Sequence, residues 1–189
     1  MTDRRCAWAR NASDLMTAYH DREWGRPSHD DTHLFEMLVL EGAQAGLSWA
    51  TVLGKRENYR ALLDGFDYTA VAAYGEERER RLLTEPGIIR NRLKIASLAR
   101  NARAFLRVRG EYGTFADYLW SWTGGVPLVN RFTSPAEVPA STPLSDRVSR
   151  DLKKRGFSFV GTTIVYSYLQ STGVVDDHLV GCPAKPGRV

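Results

Sequence analysis

Cysteine is scarce in this 189-residue chain, which has only Cys6 and Cys182, one near each end. Two such residues make a poor disulfide framework, and a chain of this length can bury about 70% of its unfolded surface without one. No apolar run approaches the roughly 18 residues of a membrane span, and the opening MTDRRCAWARN has no signal-peptide core. We therefore expect a protein of the reducing cytoplasm with no membrane partner.

Strand signals are also missing: the chain has no convincing period-2 alternation, no internal repeat and no low-complexity tract. Helix signals are frequent, and the sequence predicts an all-α fold. Predicted helix starts lie at Ser13 or Asp14, Asp31 or Thr32, Ser48, Asp67, Thr114 and Thr142-Pro143. The Ser48 helix is expected to run through Leu63. A Gly/Pro-rich loop at 123–141 would separate two helical lobes.

The stretch LFEMLVLEGAQAGLSW, residues 34–49, carries the most unusual pattern. Leu34, Leu38, Glu41 and Ala45 recur at helical spacing, so one face is apolar except for a carboxylate. The pattern directs Glu41 into the interior or a pocket, where it needs a cationic ligand or a structural arginine. Glycines at 42 and 46 would leave room for a ligand such as DNA to approach.

A helix, a Pro-Gly turn and a second helix are predicted at about 76–106, with the second helix from about Arg90 to Leu106. This arrangement resembles a helix-hairpin-helix element, in which glycine lets backbone amides approach a phosphate. Gly87, Ile88, Arg90 and Arg92 would form that contact, and Lys94 is the third basic side chain that could reach the phosphate. The net charge of +4 is consistent with a polyanionic partner. An ordinary αα-hairpin with a solvated basic face is the alternative.

Both cysteines and two of the four histidines lie near the ends of the chain: Cys6, His20, His178 and Cys182. Two thiolates and two imidazoles form a closed tetrahedral zinc set, and the spacing of His178 and Cys182 fits one helical turn. The prediction is a structural zinc ion that joins residues 6–20 to residues 178–182. The alternative is two unrelated buried cysteines and two incidental histidines.

Aromatic residues are concentrated in the first quarter of the chain, where Trp8, Tyr19, Trp24 and Trp49 accompany Glu41. Such residues are more often core than ligand platform. An inward carboxylate among them nevertheless favours a pocket for a flat cationic ring.

Six segments together resemble one family: AYHDREWG, LFEMLVLEGAQAGLSW, KRENYR, GIIRNRLKI, STPLSDRVSRDLKKRGFSFVGTTIVYS and DDHLVGC. They look like 3-methyladenine DNA glycosylase I, a bacterial enzyme family of the helix-hairpin-helix superfamily. The resemblance runs from Cys6 to Cys182. It implies a single glycosylase unit over residues 1–189, acting as a monomer on double-stranded alkylated DNA.

The resemblance also implies roles for particular residues. Cys6, His20, His178 and Cys182 match the family's zinc ligands. Glu41 and Trp49 match its base pocket, which Tyr19 and Trp8 would complete, while the turn Ala45-Gly46-Leu47 would occupy the gap left by a flipped nucleotide.

The implied reaction is hydrolysis of the N-glycosidic bond of N3-methyladenine, which leaves an abasic site. Many superfamily members have a catalytic Asp beyond the hairpin, but no Asp occurs from Ile88 to Ala116. Glu41 is therefore the candidate for the catalytic role; the alternative is that it only binds the base, while the strain of extrusion and the leaving group drive the reaction. A zinc-stabilised, non-catalytic DNA-binding module is the alternative; a zinc hydrolase is disfavoured because four protein ligands leave no open position.

Overall fold

Helices dominate the computed structural model, which describes residues 3–185. The α-helices are α1 (Asp14–Arg22), α2 (Asp31–Gln44), α3 (Trp49–Leu53), α4 (Arg56–Leu62), α5 (Tyr68–Ala72), α6 (Glu76–Thr84), α7 (Arg92–Tyr112), α8 (Phe115–Ser121), α9 (Pro143–Lys154) and α10 (Thr162–Ser171). Short 3-10 helices occur at Ala7–Ala9, Asp64–Phe66 and Pro135–Glu137. None of the helices in this described part is long and apolar enough to cross a membrane.

Side-chain caps begin most helices where the sequence predicted them. Ser13, Ser48, Asp67 and Thr114 each accept a hydrogen bond from a backbone amide of the first turn. At α9, Thr142 forms a reciprocal capping box, followed by proline at the first helical position. These predictions are confirmed because capping depends only on residues close in sequence.

Three predicted boundaries are wrong. Helix α2 is capped by Asp30 rather than by Asp31 or Thr32. The carboxylate of Asp31 instead accepts hydrogen bonds from the backbone amides of Phe115 and Ala116 at the start of α8. The single helix expected from Ser48 is divided at Gly54 into α3 and α4. Helix α7 begins at Arg92, after the cap Asn91, and extends to Tyr112.

Two very short strands were not predicted. Strand β1 (Leu128–Val129) pairs in parallel with β2 (Val175–Asp176), with Leu128 opposite Val175. Each contributes two residues, too few to produce a visible alternation in sequence. Their pairing attaches the 123–141 loop to the segment that follows α10.

Helix α2 lies at the centre of the core. Every residue from Leu34 to Ala43 is buried, because α7, α8 and α10 all pack against it. Its first turns are held from α10, where the hydroxyl of Tyr168 donates to the carbonyl oxygen of Leu34 at 3.0 Å. This central position fixes the side chains of its last turn, where Glu41 lies.

Candidate base pocket and metal site

A cavity of about 410 Å³ opens beside the last turn of α2, a volume within the usual range for small-ligand pockets. The four residues predicted for the base pocket all line it. They come from four separate segments: Trp8 from the first 3-10 helix, Tyr19 from α1, Glu41 from α2 and Trp49 from α3. The structure thus brings together residues that span 42 positions of sequence.

Glu41 is the buried carboxylate that the helical pattern predicted, with 4% of its surface exposed. Its Oε2 atom has no hydrogen-bond partner among the described residues. Burial raises the pKa of Glu41 to about 8, and the hydroxyl of Ser171 only partly opposes that shift. No arginine neutralises it, so the structural salt bridge considered from the sequence is absent from the described surroundings of Glu41.

Aromatic rings form one wall of the cavity. The rings of Tyr19 and Trp49 are 5.1 Å apart, and those of Trp8 and Tyr19 are 6.3 Å apart. The indole Nε1 of Trp49 is buried without a partner in the described structure. The cavity therefore offers an unused acceptor, Glu41, an unused donor, Trp49, and aromatic faces, which together suit a flat ring carrying polar edges.

Sequence reasoning missed several lining residues, of which Asp177 is the most informative. Its carboxylate accepts hydrogen bonds from Asn130 Nδ2 at 2.6 Å, from Gln170 Nε2 at 2.7 Å and from the hydroxyl of Tyr166. The run from Val174 to Leu179 is entirely buried. An acidic pair within an apolar run was the available signal, but the segment was interpreted only as a tail with metal ligands.

A group of metal-ligand atoms lies at the edge of the cavity. Cys6, His20 and Cys182 are all buried, and their ligand atoms lie within 4.8 Å of one another. His20 Nε2 is 3.5 Å from Cys182 Sγ. A hydrogen bond between the two sulfurs lowers the pKa of Cys182 and raises that of Cys6.

His178 lies beside this group but outside it. Its ring centroid is 5.0 Å from that of His20, and its Nε2 is 3.4 Å from the carbonyl oxygen of His20. Residues 178–182 form a turn rather than the predicted helical turn. Each imidazole bonds a carboxylate through Nδ1, His20 to Asp21 at 2.7 Å and His178 to Asp176 at 2.8 Å. Carboxylate pairing at Nδ1 is typical of metal-binding histidines. Here His20 Nε2 contacts Cys182 Sγ, whereas His178 Nε2 contacts the carbonyl oxygen of His20.

The turn after α2 is exposed next to the pocket. Gly46 adopts a φ of +78°, and a Cβ there would meet nothing within 4 Å. Leu47 is 41% exposed. Gly42 differs, because it is buried with Phe159 Cβ only 3.2 Å from the position of a Cβ. Gly42 thus makes room for packing within the core, and only Gly46 matches the expectation of an open approach.

The predicted hairpin is present as α6, a turn and α7, with Gly87 in the turn. Gly87 packs on α4, where a Cβ would lie 3.0 Å from Asn58 Cβ. Ile88 is buried, so its side chain is not open to a phosphate. Arg90 and Arg92 are exposed and have no ion pair or hydrogen bond within the described chain.

Comparison with known proteins places this geometry in a family. The family model for methyladenine glycosylase matches residues 8–185. The chain belongs to this family. The match covers α1 to α10 and all four residues of the pocket wall, so the family's sequence pattern and the cavity lie in the same part of the chain.

Individual relatives agree with the family assignment. DNA-3-methyladenine glycosylase 1 of Escherichia coli (strain K12) is 52% identical over 184 residues, covering 97% of this chain and 98% of that protein. DNA-3-methyladenine glycosylase of Haemophilus influenzae is 42% identical, covering 96% and 97%. A solved structure of 3-methyladenine DNA glycosylase I from Staphylococcus aureus, which addresses 3-methyladenine recognition, superimposes with a TM-score of 0.94 at 34% identity, covering 97% of both chains.

Proposed function

We propose that this protein is a DNA repair glycosylase that hydrolyses the N-glycosidic bond of N3-methyladenine in alkylated double-stranded DNA. The observation that carries the proposal is Glu41, a buried carboxylate in an aromatic cavity whose Oε2 atom has no hydrogen-bond partner among residues 3–185. Such a group is costly unless a ligand satisfies it. The names of the relatives supply the substrate class, since they act on 3-methyladenine in DNA.

Recognition follows from the charge of the damaged base. Methylation at N3 makes adenine cationic, and a carboxylate and aromatic faces bind a cation better than they bind neutral adenine. The raised pKa of Glu41 keeps it largely protonated at neutral pH in the free protein. Contact with a cationic base reverses that preference, so binding releases a proton and forms a charge-assisted hydrogen bond.

The chemistry needs little further assistance. As the bond from C1′ to N9 breaks, its electron pair leaves with the base and neutralises the positive charge, while water adds to C1′ and releases one proton to the solvent. Glu41 acts by accepting a hydrogen bond from the base and holding it in the cationic form, and Trp8, Tyr19 and Trp49 enclose it. The base must leave the helix to reach this cavity, so extrusion is part of the mechanism.

The DNA surface is proposed from exposure and charge. The turn with Gly46 and Leu47 is open next to the pocket, and it would fill the gap left by the extruded nucleotide. The hairpin would contact phosphate through the backbone of Gly87 and Ile88, with Arg90 and Arg92 as its uncommitted cations.

A structural zinc ion fits the donor set. Cys6, His20 and Cys182 present two sulfurs and an imidazole in one buried group, and His178 would supply the fourth ligand. Both histidines carry the carboxylate partners that orient such ligands. Zinc would tie the segment that carries Trp8 and Tyr19 to the C-terminal segment. Metal analysis should find about one zinc per chain. A Cys6→Ser protein that keeps both its metal and its melting temperature would contradict this proposal.

Release of free base tests the enzyme itself. Wild type incubated with methylated duplex DNA should liberate 3-methyladenine, measured by chromatography, and Glu41→Ala should release it at least about 100-fold more slowly. If wild type binds such DNA without releasing base, the non-catalytic DNA-binding module is the better description. If Glu41→Ala keeps full activity, Glu41 has no part in the reaction.

A further inference from the structure

One lysine of the hairpin reaches the helix that carries Glu41. Lys94, in the first turn of α7, donates from Nζ to the carbonyl oxygen of Ala43 at 2.8 Å and to that of Ala45 at 2.7 Å. These carbonyls belong to the end of α2 and its C-cap. We infer that Lys94 is a positioning residue that couples the DNA-binding hairpin to the last turn of α2 and to the exposed turn after it.

The last carbonyls of α2 are shared between two kinds of donor. Two of them accept hydrogen bonds from backbone amides: the carbonyl of Gly42 from the amide of Ala45 at 3.4 Å, and the carbonyl of Gln44 from the amide of Leu47 at 2.6 Å. The other two bond Lys94. Helix ends leave such carbonyls without intrahelical partners, and a cation there is favourable because it meets the negative end of the helix dipole.

This turn is open to solvent. A Cβ at Gly46 would meet nothing within 4 Å, and Leu47 is 41% exposed. Glu41 lies in the same helical turn as the carbonyl of Ala43, and its carboxylate faces the pocket. A shift of the helix end would therefore move the exposed turn after α2 and the Glu41 carboxylate together.

Arg90 and Arg92 precede Lys94 in the chain but have different surroundings. This difference distinguishes a positioning residue from residues that could contact phosphate. Arg90 and Arg92 are exposed and uncommitted within residues 3–185, whereas Lys94 is partly buried and uses two of its three donors on carbonyls. Of the three cations that directly follow the Pro-Gly turn, Arg90 and Arg92 are therefore available for DNA, and Lys94 supports the end of α2. The inference rests on the proposed function, because it assigns a role in that reaction.

Kinetics on methylated duplex DNA test the inference. At saturating enzyme, Lys94→Met should slow single-turnover base release about tenfold or more, since small misplacements of catalytic groups have effects of this size. The DNA dissociation constant and its salt dependence should change little. Lys94→Arg, which can still donate to both carbonyls, should recover much of the rate. Arg100→Met, on the same helix and bonded only to Ser158 Oγ, is the matched control.

A phosphate contact gives the opposite pattern. Arg92→Gln should reduce the slope of log Kd for DNA against log salt concentration by about the amount expected for one phosphate contact. If Lys94→Met does the same while its single-turnover rate is unchanged, Lys94 binds DNA and the inference is overturned. Loss of rescue by Lys94→Arg, with a lowered melting temperature in both variants, would also overturn it.

Hydrogen exchange provides a readout that needs no activity. The amides of Ala45 and Leu47 should exchange about tenfold faster in Lys94→Met than in wild type, and Arg100→Met should leave them unchanged. Unchanged exchange in Lys94→Met would refute the coupling directly. A wild type that releases no base but shows the exchange difference would instead refute the proposed function and leave the contact to α2 standing.

Discussion

Two carboxylates on helix α2 are buried to the same degree but have opposite surroundings. Glu36 is 5% exposed and Glu41 is 4% exposed. Glu36 accepts hydrogen bonds from Arg56 Nε at 2.9 Å and Arg60 Nε at 2.7 Å. Burial alone would raise the pKa of Glu36, but these guanidinium groups outweigh it and hold the pKa below its usual value. Burial raises the pKa of Glu41 to about 8 because no cation opposes it.

The two carboxylates differ in whether they have cationic partners rather than in their solvent exposure. A buried carboxylate that is fully paired is part of the scaffold, since its charge is already used. A buried carboxylate with an unpaired oxygen that faces a cavity is available for a ligand. The structural salt bridge weighed as the alternative for Glu41 does exist in this helix, but it belongs to Glu36.

The paired region also explains how the pocket is held. Arg56 bonds Glu23, at the C-cap of α1, with Nη1 and Nη2 each at 2.7 Å from a carboxylate oxygen, and Glu23 in turn bonds His33 at 2.9 Å. The network joins the end of α1 to α2 and α4. Because α1 carries Tyr19 and α2 carries Glu41, the ion network fixes one pocket wall against the carboxylate.

The largest expected contrast comes from replacing each glutamate by glutamine. Glu36→Gln should lower the free energy of unfolding by about 3–5 kcal/mol, because it takes a buried anion away from the buried Arg56 and from the partly exposed Arg60. Glu41→Gln should instead raise stability at neutral pH, because it replaces a buried carboxyl that ionises on unfolding with a side chain that stays neutral in both states. Denaturant unfolding of both proteins measures the difference. Equal losses of stability in the two variants would show that the two sites are energetically alike.

Sequence reasoning found one of these carboxylates and not the other. Helical spacing directed Glu41 inward, and neighbouring residues identified the caps at Ser48 and Thr142, since both signals are local. Glu36 was missed because α2 is buried on every side, which one apolar stripe does not reveal. The partners of Glu36 lie 20 and 24 residues away, and Asp177 and Lys94 reach the pocket region only through the tertiary fold.

A smaller effect is expected from pH acting on Glu41. In the unfolded chain Glu41 ionises near 4.5, whereas in the folded protein it keeps its proton up to about 8. Between these values the folded state binds more protons, so the stability from this group is complete below about pH 4.5 and is lost as pH rises through about 8. The complete loss should be on the order of 5 kcal/mol.

Glu41→Gln is the reference for this measurement, because other titrating groups contribute equally to both proteins. The difference in unfolding free energy between the variant and wild type should grow from about pH 5 to about pH 8.5. A difference that stays constant would mean that Glu41 titrates normally and has a partner in solution. Glu36→Gln should show no such trend over this range, since the lowered pKa of Glu36 places its titration at acid pH.

The smallest expected effect distinguishes the two arginines that satisfy Glu36. The Arg60 side chain is 41% exposed, and Arg56 is 10% exposed. Arg60→Gln should therefore cost about 1 kcal/mol of stability or less, since solvent screens exposed ion pairs. Arg56→Gln should cost more, because it removes the buried cation that Glu36 and Glu23 share. Denaturant unfolding at low and high salt measures both: the Arg60 effect should shrink with salt and the Arg56 effect should persist. If Arg60→Gln were as damaging as Arg56→Gln, the charge of Glu36 would depend on an exposed partner, and its contrast with Glu41 would rest on the surface rather than on the core.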